Sequence, residues 1–232
     1  MAIYVMSDIH GQYEKYLKML EKIGFSDDDI LYVLGDVIDR GPEPVKVLTD
    51  MSSRHNIFPI MGNHELMAVE VLSDILKEIT EESISKLSES FMGKILEWNL
   101  NGGSVTLEKF KELSPEKRKE LFDYICDFSL IETVDVKDRA FVLVHSTLGN
   151  FSKVKKLRQY TPFELTSIRA DYDKQLFDDP DIYVVSGHTP TPMINGKAEI
   201  YYSHNNIDID CGATYGGKLA CLRLDDMQEF YV

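Results

Sequence analysis

Residues 30–41 read Ile-Leu-Tyr-Val-Leu-Gly-Asp-Val-Ile-Asp-Arg-Gly. An apolar run, Ile30 to Leu34, has the texture of a strand buried on both faces. It stops at Gly35, and the residues that follow include Asp36, Asp39 and Arg40. The same succession stands on either side. Ile3 to Met6 is apolar and is followed by Asp8 and His10; Ile57 to Ile60 is followed by Asn63, His64 and Glu65. Between the first two runs, Tyr13, Tyr16, Leu17 and Leu20 fall at i, i+3, i+4 and i+7, which predicts a helix that Gly24 ends. Val45 to Met51 predicts a second helix. This is a βαβαβ run, which favours a largely parallel sheet with helices outside.

Past Glu65 the pattern changes. Leu66, Val69, Leu72, Leu76 and Ile79 follow the helical period, and helical patterns continue to about Asp127. One of them opens with Ser114 as N-cap and Pro115 at the first helical position. Residues 66–128 are therefore read as a helical insertion carried by the α/β core, within one domain spanning residues 1–232. Strands return at Leu130 to Val136 and Ala140 to Val144, joined by a turn near Lys137-Asp138. Thr161-Pro162-Phe163-Glu164 is a capping box that predicts a helix through Leu165 and Ile168 to about Arg169. Ile182 to Val185, Ile200 to Tyr202, Ile207 to Ile209 and Leu219 to Leu224 complete the strands. So many strands predict an α/β fold in which two sheets pack face to face as a β-sandwich, flanked by helices.

The chain has 232 residues and a formal net charge of −14. That balance argues against a general binder of nucleic-acid backbones. It leaves room for a phosphorylated substrate, because a local site can be cationic on an acidic surface. No stretch of about 18 apolar residues exists, so no membrane-spanning helix is expected. The first residues carry no basic region, so no secretory leader is expected. Cys126, Cys211 and Cys221 are odd in number and widely spaced, and read as reduced thiols of a cytoplasmic protein. The acidic run Asp27 to Asp29 reads as a solvated turn.

Taken singly, a His after a strand is most often a loop residue with ordinary hydrogen bonds, and an Asp beside Gly is turn chemistry. Here, however, four of the six histidines (His10, His64, His145 and His188) stand at strand ends; His55 and His204 lack that setting. In α/β sheets the carboxyl ends of strands face the crevice where ligands bind. The chemistry that needs such a set is a two-metal hydrolytic site. Asp36 can bridge two divalent cations through its two carboxylate oxygens. Asp8 and His10 would complete one metal; Asn63, His145 and His188 would complete the other. Oxygen and imidazole donors without thiolate suit Mn²⁺ first, with Fe or Zn²⁺ as alternatives. Two such ions clamp a phosphoryl group and lower the pKa of a shared water.

Asp8-Ile9-His10, Gly35 to Gly41, Gly62-Asn63-His64-Glu65, His145 and His188 together resemble the phosphoprotein phosphatase family of binuclear metallophosphoesterases. Trp98-Asn99-Leu100-Asn101-Gly102-Gly103 and the Asp210 to Gly217 stretch resemble its compact bacterial and phage branch. The resemblance implies a calcineurin-like metallophosphoesterase fold. It implies His64, paired with Asp39, as general acid, and Arg40 and Arg169 as phosphate clamps. Arg169 also fits a bland role, a charge at a helix C-terminus. Asn63 would bind phosphate as well as metal. The chain departs from the family pattern at Met61, where many members carry a base. It departs again at Ser146-Thr147, where Ala-Gly is common; Thr147 is expected to reshape the pocket without removing a ligand.

The resulting expectation is hydrolysis of phosphate monoesters, first of all on phosphoserine or phosphothreonine proteins. The alternative is a nucleotide or symmetrical diadenosine tetraphosphate hydrolase of the same superfamily. Glu65, where an Asp would lean towards the nucleotide enzyme, favours the former. A binding protein that kept the fold without catalysis would show a broken ligand set, and this set is whole. The partner is thus a phosphorylated protein or a small phosphoester, with no nucleic acid and no membrane; the oligomeric state is not legible.

Overall fold

The computed structural model describes residues 1–76 and 89–232. The predicted helical position Ile79 lies outside the described residues. Strands β1 (Ile3–Met6), β2 (Ile30–Leu34) and β3 (Ile57–Ile60) pair in parallel, joined by helices α1 (Tyr13–Ile23) and α2 (Pro44–Ser52). The second sheet holds β4 (Ile131–Val136), β5 (Arg139–Val144), β6 (Ile182–Ser186), β7 (Tyr201–Ser203) and β8 (Asn206–Asp208), in the order β4-β5-β6-β8-β7. Its three middle strands are parallel and its two edge strands antiparallel. β9 (Ala220–Arg223) and β10 (Gln228–Tyr231) return to the first sheet, antiparallel, giving the order β10-β9-β1-β2-β3.

Two-residue alternation sorts the side chains into layers. Val5, Leu34, Ala220 and Leu222 of the first sheet meet Phe141, Leu143, Val185 and Ile207 of the second in one buried cluster. Tyr4, Met6, Leu31 and Val33 point the other way, to the helices that cover the first sheet. Val142, Val144 and Val184 do the same on the second sheet, against Leu148, Tyr160 and Leu165. The face-to-face sandwich flanked by helices is therefore what the strands build.

Between β3 and β4 stand α3 (Asn63–Ile75), α4 (Glu89–Leu100), α5 (Ser104–Lys111) and α6 (Pro115–Cys126). Trp98, Phe110, Leu121 and Ile125 join the same cluster as Met6 and Val33, so these helices share the core of the first sheet. Ser114 caps α6 as predicted, its hydroxyl accepting from Lys117 N. Helix α3 starts earlier than its apolar period suggests. Glu65 is its third residue and its Oε2 accepts from Gly62 N at 3.0 Å, which caps the helix at Gly62.

Three features differ from expectation. The capped helix α7 (Pro162–Thr166) ends well before Arg169. The Leu165 carbonyl accepts from both N and Oγ of Ser146, each at 3.0 Å, and is not free for the next helical bond. A short helix, α8 (Thr191–Asn195), follows β6 and closes on Gly196, and it has too few turns to show a period. β10 was not expected, because its first two residues, Gln228 and Glu229, are polar and exposed, and only Phe230 and Tyr231 within it are apolar. No helix among the described residues is long and apolar enough to cross a membrane.

Phe141 has no exposed surface and lies between the sheets, its ring 5.5 Å from that of Tyr183. Phe141→Ala is expected to cost about 3–5 kcal/mol of stability, read from the shift of the urea midpoint at unchanged m-value.

Candidate metal centre

The functional side chains gather at the C-terminal ends of β1, β2 and β3 in one sheet and of β5 and β6 in the other. The β1 and β2 loops continue to pair beyond their strands: Asp8 N donates to Gly35 O, His10 N to Asp36 O at 2.8 Å and Gly11 N to Val37 O at 2.8 Å. Many site residues adopt a left-handed backbone, with φ of 52° at Asp8, 43° at His10, 50° at Asp36, 69° at Asp39, 63° at Arg40 and 67° at His188. Such conformations cost of order 1–3 kcal/mol each and persist only where surrounding contacts over-determine them.

Glu65 supplies much of that determination, and the sequence offered no hint of the role. Its buried carboxylate accepts from Asp36 N at 2.8 Å, Val37 N at 2.8 Å, Ile38 N at 3.3 Å and Gly62 N at 3.0 Å. The loop after β2 and the start of α3 are thus tied to one side chain. Gly62 is obligatory there, because a Cβ would overlap the Asp36 carboxylate.

The imidazoles are oriented by backbone carbonyls. His10 donates from Nδ1 to Ile38 O at 2.8 Å, and His145 from Nδ1 to Leu34 O at 2.7 Å. His188 is hydrogen-bonded to the Ser167 backbone. Each ring therefore presents its other nitrogen, with a lone pair, to the centre. His145 Nε2 and His188 Nδ1 face Asn63 Oδ1 at 3.1 and 3.0 Å. These are acceptors meeting acceptors, an arrangement that a cation satisfies. Asp36 joins the two halves: its Oδ1 is 3.3 Å from His145 Nε2, and its Oδ2 is 3.5 Å from His10 Nε2. Asp36, His145 and His188 form one cluster with metal-ligand spacing. His10 and Asp36 form another, in which the third member is His64. Asp8 flanks that cluster, its Oδ1 3.9 Å from His10 Nε2, while its Oδ2 accepts from His188 N and from the Ser7 hydroxyl.

Burial pushes the Asp8 carboxyl well up, with the neighbouring Asp210 adding to the effect, and pushes Asp36 up with help from Asp8. Burial also holds His10 and His145 well below the usual imidazole range, and His188 falls to about 4 through burial and the Arg169 charge. Two carboxyls that repel one another and several imidazole nitrogens thus converge on one small, buried space with little positive charge among them. Divalent cations would supply it. The donor chemistry fits divalent ions in two places that share Asp36, one beside His10 and His64 with Asp8 at its flank, the other beside His145 and His188 with Asn63 between them.

A further layer lies behind His64. Its Nδ1 donates to Asp39 Oδ2 at 2.6 Å, and both side chains are fully buried. Arg40 Nη2 donates to His64 Nε2 at 2.8 Å and Nη1 to His10 Nε2 at 2.7 Å, so one clamp predicted from sequence is at the centre. Arg169 is exposed in the loop beyond α7, not at the end of a helix. Its charge reaches His188 and Asp210, and it lines a groove of about 610 Å³ with Thr147, Phe151 and Asn206. Thr147 thus faces the groove without displacing His145. Met61 packs into the core instead of the centre. His55 and His204 are exposed and stand outside both clusters.

The sequence profile of the calcineurin-like phosphoesterases matches residues 1–221. A symmetrical bis(5'-nucleosyl)-tetraphosphatase of Wigglesworthia glossinidia brevipalpis is 33% identical over 116 residues, which is 49% of this chain and 43% of that protein. The chain thus spans less than half the length of this curated relative. An asymmetrical bis(5'-nucleosyl)-tetraphosphatase of Geobacillus sp. (strain WCH70) is 24% identical over 262 positions, covering 100% of this chain and 94% of that protein. Among solved structures, a protein serine/threonine phosphatase of Saccharomyces cerevisiae superposes with a TM-score of 0.58 at 13% identity, covering 100% of this chain and 79% of that one, a likeness of fold.

Glu65→Gln would turn an amide NH₂ towards backbone N–H groups. It is expected to weaken Mn²⁺ binding about ten- to a hundredfold, measured by titration calorimetry on folded protein.

Proposed function

Because the chain belongs to the calcineurin-like phosphoesterase family, matched over residues 1–221, we propose that it is a metal-dependent hydrolase of dinucleoside polyphosphates. Two donor clusters that share Asp36 carry the proposal of a binuclear centre. The relatives named bis(5'-nucleosyl)-tetraphosphatases support the substrate class, in both symmetrical and asymmetrical forms. The order expected from sequence is thereby reversed, with the dinucleotide first and the phosphoprotein second. The second reading keeps one specific support. A buried His64–Asp39 pair is machinery for protonating a poor leaving group, such as a serine alkoxide.

When bound, two divalent ions, Mn²⁺ first, would polarise the phosphoryl oxygen and activate water. The chain's own residues do the rest. Arg40 and Arg169 hold phosphate oxygens with planar, charge-assisted forks. Asn63 orients phosphate through its amide end. Asp39 fixes the His64 tautomer. Once Arg40 turns to substrate, His64 Nε2 is free to carry a proton to the departing oxygen. Residues 66–128 serve as an insertion within one domain, since Trp98 and Thr106 reach Asp39.

Exhaustive chelation is expected to abolish hydrolysis and Mn²⁺ to restore it, with Asp36→Asn more damaging than His10→Gln. Product analysis on diadenosine tetraphosphate, beside a phosphoserine peptide, decides the class. A higher kcat/KM on the dinucleotide upholds it, and a higher value on the peptide replaces it with the phosphoprotein.

Arg169→Ala removes charge-assisted bonds worth about 1.5–3 kcal/mol. It should lower kcat/KM about ten- to a hundredfold and weaken inhibition by inorganic phosphate. Unchanged values in a folded variant would remove Arg169 from the site.

A further inference from the structure

Asp39 accepts three hydrogen bonds besides shaping a left-handed turn, and two of its partners come from the helical segment between β3 and β4. Trp98 Nε1 on α4 donates to Asp39 Oδ2 at 2.8 Å. That is the same oxygen that receives His64 Nδ1 at 2.6 Å. Thr106 on α5 grips the residue twice: its hydroxyl donates to Asp39 Oδ1 at 2.6 Å and accepts from Asp39 N at 2.9 Å. The next residue is held as well, with Arg40 N donating to Gly102 O at 3.1 Å. Trp98, Thr106, Asp39 and His64 have no exposed surface.

We infer that Trp98 and Thr106 are positioning residues for proton transfer: they hold the Asp39 carboxylate so that His64 keeps one proton on Nδ1 and aims at the leaving oxygen the second, taken up from water at Nε2, which the departing oxygen receives as the ring returns to neutral. The inference rests on the assignment of His64 as general acid. Three donors on one carboxylate fix both of its oxygens in space. A carboxylate so held accepts from His64 in one geometry only. Thr106 adds the backbone half of the restraint, because Asp39 has φ of 69° and its N–H would otherwise be buried without a partner. Gly103 leaves room for this contact, since a Cβ there would stand 2.5 Å from the Trp98 indole. Helices α4 and α5 thus reach the chemistry through the Asp39 carboxylate, with Gly102 between them holding Arg40 N.

The test compares leaving groups in the full Mn²⁺-loaded chain. The variants are Trp98→Phe, Thr106→Val, Thr106→Ser and, as reference, His64→Asn. The substrates are a phosphoserine peptide, whose alkoxide needs a proton, and p-nitrophenyl phosphate, whose phenolate needs little. Acid catalysis typically contributes about 10²–10⁴-fold, so Trp98→Phe and Thr106→Val should lose about ten- to a hundredfold in kcat on the peptide and much less on the aryl ester. KM and two bound metals per chain should be retained. Thr106→Ser, which keeps the hydroxyl, should restore peptide turnover. In the metal-free chain, Thr106→Val should also move the low-field proton resonance of His64 Nδ1–H, a signal that a loss of global stability alone leaves in place. If His64→Asn shows the leaving-group bias while Trp98→Phe and Thr106→Val lose equally on both substrates, the positioning role is overturned and the acid assignment stands. If His64→Asn shows no bias, the acid assignment falls and the inference falls with it.

Discussion

One buried carboxylate, Glu65, accepts backbone N–H groups from the loop after β2 and from the turn that opens α3. Neither segment is regular structure at those positions, so its amides would otherwise be unpaired away from water. A carboxylate can accept several bonds at once, which an amide or hydroxyl cannot match. The cost of burying its charge is offset by those bonds, although burial still pushes the Glu65 carboxyl up. The consequence is geometric. Asp36 is held left-handed with its two oxygens aimed in different directions, one towards His145 and one towards His10. A single side chain on α3 therefore governs the residue on which both halves of the centre depend.

The same economy of contacts sets the charge state of the centre. His10 and His145 are fixed by donating to carbonyls at the ends of neighbouring loops and strands, so their lone pairs are directed by the sheet itself. Asp8 and Asp36 sit among them with almost no solvent, and the cations of the chain that lie nearby are arginines. A guanidinium cannot bridge two carboxylates and three imidazole lone pairs, because it is a planar donor with no capacity to be encircled. Compact divalent ions can. Arg40 instead spans His10 and His64 with its two terminal nitrogens, beside the first cluster.

How much of this was legible in the sequence follows from chain distance and period. β1, β2 and β3 were legible because buried parallel strands are apolar throughout, and each ends abruptly in polar residues. Asp8, Asp36, Asn63, His145 and His188 were legible because strand ends in an α/β fold converge. Glu65 was visible only as a letter in a motif; its bonds run to amides about thirty residues away, and amides carry no sequence signature. Trp98 and Thr106 were hidden for the same reason, since each is one residue on an amphipathic helix and its bond to Asp39 spans more than fifty residues. Arg169 was expected at a helix end. It stands in a loop instead because Ser146 takes the Leu165 carbonyl that helix α7 needed. β10 escaped because Gln228 and Glu229, its first two residues, are polar and exposed, which leaves only Phe230 and Tyr231 to mark a strand of four.

The two substrate classes place different demands on these groups. A phosphoanhydride departs as a polyphosphate, whose charge is already spread over several oxygens. It needs neutralisation by arginines more than it needs a proton. An alkyl ester departs as an alkoxide, localised and strongly basic, and needs the proton above all. The residues proposed for the two provisions are built differently into the fold. His64 and Asp39 are fully buried and held from α4 and α5 by hydrogen bonds to Trp98 and Thr106. Arg169 is exposed on an irregular loop beside a groove of about 610 Å³, where an extended, highly charged molecule has room to lie. His64, as the proposed acid, would serve either leaving group. The groove carries both signs of charge, Arg169 and Lys174 beside Asp171 and Asp173, with Lys174 paired to Asp171, so Arg169 is the guanidinium it offers and its size, not a cationic lining, is what suits an extended molecule.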